Sequence, residues 1–297
     1  FDAYRADLLH ESERGIGVAA SIGGYRIAML AAGAGALIMS DHLGWKNTLM
    51  ILAALQGVGI LSTLSAPKIA QPAKQPEGLK EAFLGPIQDI FSRKGILLFL
   101  LLVFTYKLGD AFAGSLTNTF LLKSDGGMGF SKSQVGLISK TVGLAAVLVG
   151  ATFGGLLLRR LGLYRALLIF GFLQAFTNLG FCLLAFVGPD PWVMGATIAM
   201  ENFAGGMGTA AFVTLLIGLC NPRFSATQFA LLTAIMALGP IVIGPMTGFL
   251  QEAVGWQSFY LLSATAAIPG IVILLILGPR INEATRKEEI NDEAGTN

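Results

Sequence analysis

Charge is scarce in this 297-residue chain. Asp, Glu, Lys and Arg make up 13% of it, against 54% hydrophobic residues and a mean hydropathy of +0.69. A soluble globular domain carries about 25% charged residues, so that class is excluded at once. Cysteine and histidine are scarcer still, at two each. Cys182 and Cys220 fall in or at the end of apolar runs without a CxxC or histidine-rich neighbour, and read as small buried hydrophobes rather than metal ligands or a disulfide. His10 and His42 lie between apolar runs. No Ser-His pair, HExxH or second membrane-embedded Asp is present, which argues against a hydrolase or an intramembrane aspartyl protease around Leu108-Gly109-Asp110. The nearest approach to a phosphate loop, residues 126–133, has Ser131 where the required glycine belongs and reads as a flexible turn. An ATP-driven pump is thereby disfavoured. Alternating ten-residue segments of a membrane barrel are also missing, as are a signal peptide and an Asn-x-Ser/Thr acceptor.

Long apolar runs are what the chain does have. Runs of roughly 20 apolar residues give about eight candidate membrane spans, at 15–39, 46–66, 95–122, 133–158, 165–187, 192–219, 226–250 and 258–278. Most connections are short, so the spans are expected to form antiparallel neighbours in one all-α bundle. One connection differs. Residues 67–94 combine proline, glutamine and the basic residues Lys68, Lys74, Lys80, Arg93 and Lys94, and read as a soluble linker. The chain opens on FDAYRADLL, polar and followed at once by a span, with no Met start; it reads as a fragment missing its front. The expected organisation is therefore 1–66 as the rear of one bundle, 67–94 as linker, 95–278 as a six-helix bundle and 279–297 as a tail.

Basic residues are distributed unevenly around these spans. One set of connections holds Arg5, Arg14, Lys68, Lys74, Lys80, Arg93, Lys94, Arg159, Arg160, Arg165, Arg223, Arg280, Arg286 and Lys287; the other holds Lys46, Lys123 and Lys132. The positive-inside rule places the first set, and with it the C-terminal tail, in the cytoplasm. The net charge of +2 gives no reason to expect a nucleic-acid partner.

Five ionisable residues interrupt the spans at depth: Arg26, Lys107, Asp110, Lys140 and Glu201. A charge there costs several kcal/mol unless it faces a partner or a water-filled cavity. The protein is expected to bind or move something polar inside a membrane. If 95–122 is one continuous helix, about 100° per residue puts Lys107, Gly114 and Asn118 within roughly 40° of arc, with Asp110 about 60° to one side. Glu201 shares a face with Gly205 and Gly208, and Lys140 with Gly136, Gly143 and Gly154. Small faces also let membrane helices approach closely, so ion pairs of Lys107 with Asp110 or Glu201 that merely cement the bundle are the structural alternative. At about 1.5 Å per residue, Lys107, Asp110, Lys140 and Glu201 all lie between the midplane and about 8 Å outside it, a shared level that suits one site. Gly239-Pro240 and Gly244-Pro245 permit bending in the penultimate span.

Six spans after a basic linker and two before it resemble a major facilitator superfamily transporter entered within its fourth helix, with the spans standing as helices five to twelve. In that superfamily helices five, seven, eight and ten line the central cavity, and these carry the five in-span charges. Helices six, nine and twelve are peripheral there, with only Gln56, Gln174 and Asn178 as polar interruptions here. The loop signature G-x-x-x-D-R-x-G of the superfamily is degraded: Gly155, Arg160, Gly162 and Arg165 are present, but Arg159 stands where the acid belongs.

Longer strings are more specific. FDAYRADLL, GYRIAML, YKLGDAFAGSLTNTFLL, LYRALLIFGFLQA, ENFAGGMGTAAFVTLL and FSATQFALL resemble, in that order, the AmpG-type muropeptide permeases, from Phe1 to about Leu277. The resemblance implies a monomeric, multi-pass protein of the bacterial inner membrane, surrounded by lipid. It also implies proton-driven import of N-acetylglucosamine-anhydro-N-acetylmuramyl peptides, with no cofactor beyond the proton gradient. A related carrier of another bulky anion such as acetyl-CoA is the alternative. A muropeptide offers carboxylates and sugar hydroxyls, so Arg26, Lys107 and Lys140 are the expected anion partners, with Asn118 and Asn202 for hydrogen bonding and Tyr25 and Tyr106 for stacking on a sugar. Asp110 and Glu201 are the expected proton carriers, since burial and a nearby lysine move a carboxylate in opposite directions.

Overall fold

A computed structural model describes residues 4, 8–67, 79–278, 280 and 281. Within the described residues the regular structure is helical throughout. Helix α1 (Glu11–Leu30) continues through a π-helical turn, Ala31–Gly35, into α2 (Ala36–Ser65). The segment expected as a linker contains α3 (Leu79–Ser92). The span at 95–122, helix seven in the superfamily's count and called the seventh span below, is split into α4 (Ile96–Thr105) and α5 (Leu108–Leu122). The eighth comprises α6 (Lys132–Ile138), a π turn at Ser139–Gly143, and α7 (Leu144–Leu161). Then follow α8 (Leu163–Val187), α9 (Pro191–Gly218), α10 (Ser225–Thr265) and α11 (268–278).

Single glycines turn the chain between spans. Gly44, Gly162 and Gly255 share one conformation, with φ of 72°, 74° and 74° and ψ of 157°, 162° and 169°. Such φ values suit glycine, which lacks a Cβ to clash. Two apolar clusters show that the chain reverses at Gly255. Phe229 and Leu232 belong to the cluster of Leu102, Leu158, Leu167, Leu215 and Leu274; Trp256, Phe259 and Tyr260, which lie between Leu232 and Leu274 in sequence, belong to that of Phe120, Phe130, Leu184 and Met194. Each of the last six spans runs from one cluster to the other. At the front, Tyr4 Oη donates to the Pro67 carbonyl at 2.9 Å, bringing the outer ends of α1 and α2 together across the Gly44 turn. Among the described residues five helical stretches are long and apolar enough to cross a membrane, and Pro222–Gly278, folded back at Gly255, supplies two crossings. The basic connections at 158–166 and 219–229 lie at the first cluster, and Arg280 packs against Gly95 there; Lys123 and Lys132 lie at the other end. Arg5, Lys68, Lys74, Arg286, Lys287 and most of the tail fall outside the described residues.

Close packing rests on small residues. A Cβ at Gly150 would stand 2.1 Å from the Phe203 carbonyl oxygen, and one at Gly206 2.5 Å from that of Val147, so α7 and α9 touch backbone to backbone. Gly155 meets Gly15 in the same way and ties α1 to the six-span bundle. Outward faces carry Leu64, Phe186 and Phe249, each more than three-quarters exposed; a bilayer solvates such a surface, whereas water does not.

The expected linker is more structured than its composition implies. Helix α3 docks on the connection between α9 and α10 through polar groups. Asp89 accepts from Asn221 Nδ2 at 3.0 Å and Gln228 Nε2 at 2.7 Å and pairs with Arg93; Arg93 also reaches the Leu219 carbonyl, and Arg223 pairs with Glu81 at 2.6 Å. Gln228 is fully buried. Burial pushes the Asp89 carboxyl up, but hydrogen bonds from Gln228 and Arg93, the Arg93 charge and the Asn221 bond outweigh it, leaving the group below the ordinary carboxylate range.

Candidate functional site

Lys107 sits where the seventh span stops being helical. Its φ of −100° and ψ of 8° separate α4 from α5. The continuous helix expected over 95–122 is therefore interrupted at Lys107, before Gly114 and Asn118 on α5. The break faces a second one. Helix α10 ends at Thr265, because Pro269 cannot donate to its carbonyl and crowds it. Gly109 lies against Ser263 and Ala267, and Gly270 against Thr105 and Tyr106, so the two interruptions interlock.

From this position the Lys107 ammonium donates to Asp110 Oδ2 at 3.0 Å and to Gln174 Oε1. Both side chains of the ion pair are largely enclosed, at 18% and 24% exposure. Gln174, on α8, is buried and was not expected here, since its helix was expected to be peripheral. Its Nε2 donates to the Phe170 carbonyl at 3.1 Å. Glu201 on α9 lies within electrostatic reach of Asp110, Lys107 and Arg26. Asn202 Nδ2 donates to Glu201 Oε2 and to the Ile198 carbonyl, each at 2.9 Å.

Asn202 also lines a cavity of about 240 Å³ with Arg26, Met29, Leu30, Ser139, Lys140 and Leu144. Two π turns border it: Ala31–Gly35 follows Leu30, and Ser139–Gly143 contains Ser139 and Lys140. Irregular turns of this kind recur at functional sites because they re-aim side chains. Lys107 and Lys140 thus stand at breaks in regular helix, whereas Arg26 lies within α1, more than a turn before its π turn. Arg26, Lys140 and Asn202 meet at the cavity, and Glu201, which accepts from Asn202, is within electrostatic reach of Lys107 and Asp110.

The remaining expected residues stand apart. Tyr106 is buried, its ring stacked on Phe212 at 4.9 Å and its hydroxyl donated to the Leu167 carbonyl at 2.9 Å, so no face is left for a sugar. Tyr25, 63% exposed, borders a separate, larger hollow with Ser21, Gly59, Ser62 and Val213. Asn118 is exposed on α5, and among the described residues no hydrogen bond joins it to the others. Among the described residues no group of three or more His, Cys, Asp or Glu is placed to hold a metal ion.

An all-helical bundle with enclosed charges defines a class of polytopic membrane transporter, and comparison with known proteins names it. A family model for the Major Facilitator Superfamily matches residues 1–222 and 111–295, and the chain belongs to that family of transporters, which are not enzymes. It is 49% identical over 277 residues to the anhydromuropeptide permease of Escherichia coli (strain K12), covering 93% of this chain and 56% of that protein. An uncharacterised Haemophilus influenzae protein is 35% identical over 97% of this chain and 70% of its own length. The putative transporter AmpG 4 of Rickettsia felis is 32% identical over 95% and 69%. The chain spans little more than half the length of the Escherichia coli relative.

Proposed function

We propose that the complete protein is a proton-coupled importer of anhydromuropeptides in the bacterial inner membrane, with its C-terminal tail in the cytoplasm. The observation that carries this reading is the convergence of Arg26, Lys107 and Lys140, from three spans, with Asp110, Glu201 and Asn202 inside an apolar bundle. Such a set offers net positive charge to a carboxylate-bearing, hydroxyl-rich ligand and two carboxylates to a proton. A relative at 49% identity whose name specifies an anhydromuropeptide supports the same ligand; the names found among the relatives do not favour the acetyl-CoA alternative. In this reading 1–66 is the rear of one bundle, 67–94 the linker and 95–278 the second bundle. The protein acts as a monomer in lipid and needs no cofactor beyond the proton gradient.

Uptake by proteoliposomes of the complete protein tests the ligand. A labelled anhydromuropeptide should enter and emerge unchanged, with unlabelled anhydromuropeptide competing and acetyl-CoA not. Uptake of acetyl-CoA alone would overturn the assignment, and a chemically altered product would overturn the transporter class.

A further inference from the structure

We propose that Gln174 is a positioning residue for anion recognition: it holds the Lys107 ammonium toward the ligand without cancelling its charge. The inference rests on the reading of Lys107 as an anion partner. A carbonyl oxygen only accepts and an ammonium only donates, so a glutamine between them has one possible orientation. Gln174 Nε2 is committed to the Phe170 carbonyl of its own helix, which turns Oε1 toward Lys107. The fit is enforced from the other side. A Cβ at Gly208 would stand 2.0 Å from Nε2, 2.4 Å from Cδ and 2.6 Å from Oε1, so α9 can approach α8 here only because residue 208 has no side chain.

The two partners of Lys107 differ in what they do to its charge. Asp110 neutralises the ammonium; Gln174 fixes it and leaves the charge in place. An ammonium has three donors, and two are used by Asp110 and Gln174, which leaves the third for a ligand carboxylate. Lysine on its own is a flexible point charge with four carbons of reach. A buried amide acceptor supplies the geometry that the side chain lacks.

Five variants of the complete protein test this, each assayed with a labelled anhydromuropeptide and with the same molecule amidated at its peptide carboxylates. Gln174→Met, close in volume but without the acceptor, should raise the half-saturation concentration for the free acid about tenfold, the size of one charge-assisted bond. Maximal rate, and half-saturation for the amidated ligand, should stay near wild type. A merely structural glutamine would shift both ligands alike. Gly208→Ala should mimic the loss by pushing the amide away, and adding Gln174→Ala should restore room, so that the double variant is no worse than Gln174→Ala alone. That pair carries the test even where Gln174→Met fails to fold. Lys107→Ala separates the two levels of the argument. If it distinguishes the ligands and Gln174→Met does not, the positioning role is refuted and the anion site stands; if it treats both ligands alike, the anion site falls and the positioning role with it.

Discussion

The Lys107 ammonium lies 3.0 Å from Asp110 Oδ2 at the point where the seventh span loses its helical ladder. The pair is three residues apart in sequence, so it forms locally, yet its third member arrives from α8, 67 positions away. A local pair could serve only as cement between turns. The long-range bond to Gln174, and the reach of Glu201, tie it to two further spans and to the cavity.

Removing Lys107 leaves Asp110 enclosed without its partner. Lys107→Ala should cost about 1.5–3 kcal/mol, seen as a lower melting temperature in detergent, together with roughly ten- to a hundredfold weaker muropeptide binding. Adding Asp110→Asn should recover stability and leave binding weak. Recovery of both would mean that the pair is structural only. A stable Lys107→Ala protein with wild-type affinity would contradict both roles.

The docked helix α3 should respond to acid. Asp89 has a folded-state pKa below its usual 3.8, so its contribution is complete above that value and is lost as pH falls through the depressed folded value. The protection factors of residues 79–92 against hydrogen exchange, taken relative to the intrinsic rate at each pH, should therefore be high at pH 7 and fall only below about pH 4. Asp89→Asn and Gln228→Ala should each loosen the helix at pH 7. Equal protection in Asp89→Asn and wild type would show that the polar network does not hold it.

Glycine at the tight turns should resist replacement. Gly162→Ala and Gly255→Ala each force a Cβ into φ near 74° with extended ψ, at a cost of about 1–3 kcal/mol. Gly114→Ala, at an open mid-helix position on α5, should be slightly stabilising, by about 0.5–1 kcal/mol. Thermal melts of the three variants compare them directly, and equal melting temperatures would remove the argument from dihedral angle.

Periodicity made much of this bundle legible beforehand. Apolar runs located the spans; the glycines before Leu163 and Trp256, which lie at reversals, and Pro269, which explains the break before it, take their meaning only from the structure. Burial cost singled out the charged residues on helices that the structure brings together. Gln174 escaped because a neutral amide gives no comparable alarm; its one trace was a glycine at 208 with no turn to make. The break at Tyr106–Lys107 has no proline to announce it, and π turns leave no compositional mark, so the irregularities that aim the two lysines emerge only from tertiary packing. Tyr106 shows the converse. Its place beside Lys107 suggested a ligand contact, but its hydroxyl is satisfied by the Leu167 carbonyl within the bundle.

The central claim is that the enclosed carboxylates couple a proton to muropeptide movement. The most direct measurement is accumulation of labelled anhydromuropeptide in proteoliposomes of the complete protein under an imposed gradient, acid on the side bearing Lys132. Wild type should concentrate the ligand above the external level; Asp110→Asn or Glu201→Gln, or both, should abolish accumulation and keep ligand exchange down its own gradient. Accumulation in both variants equal to wild type, or wild-type uptake indifferent to the proton gradient, would contradict the account.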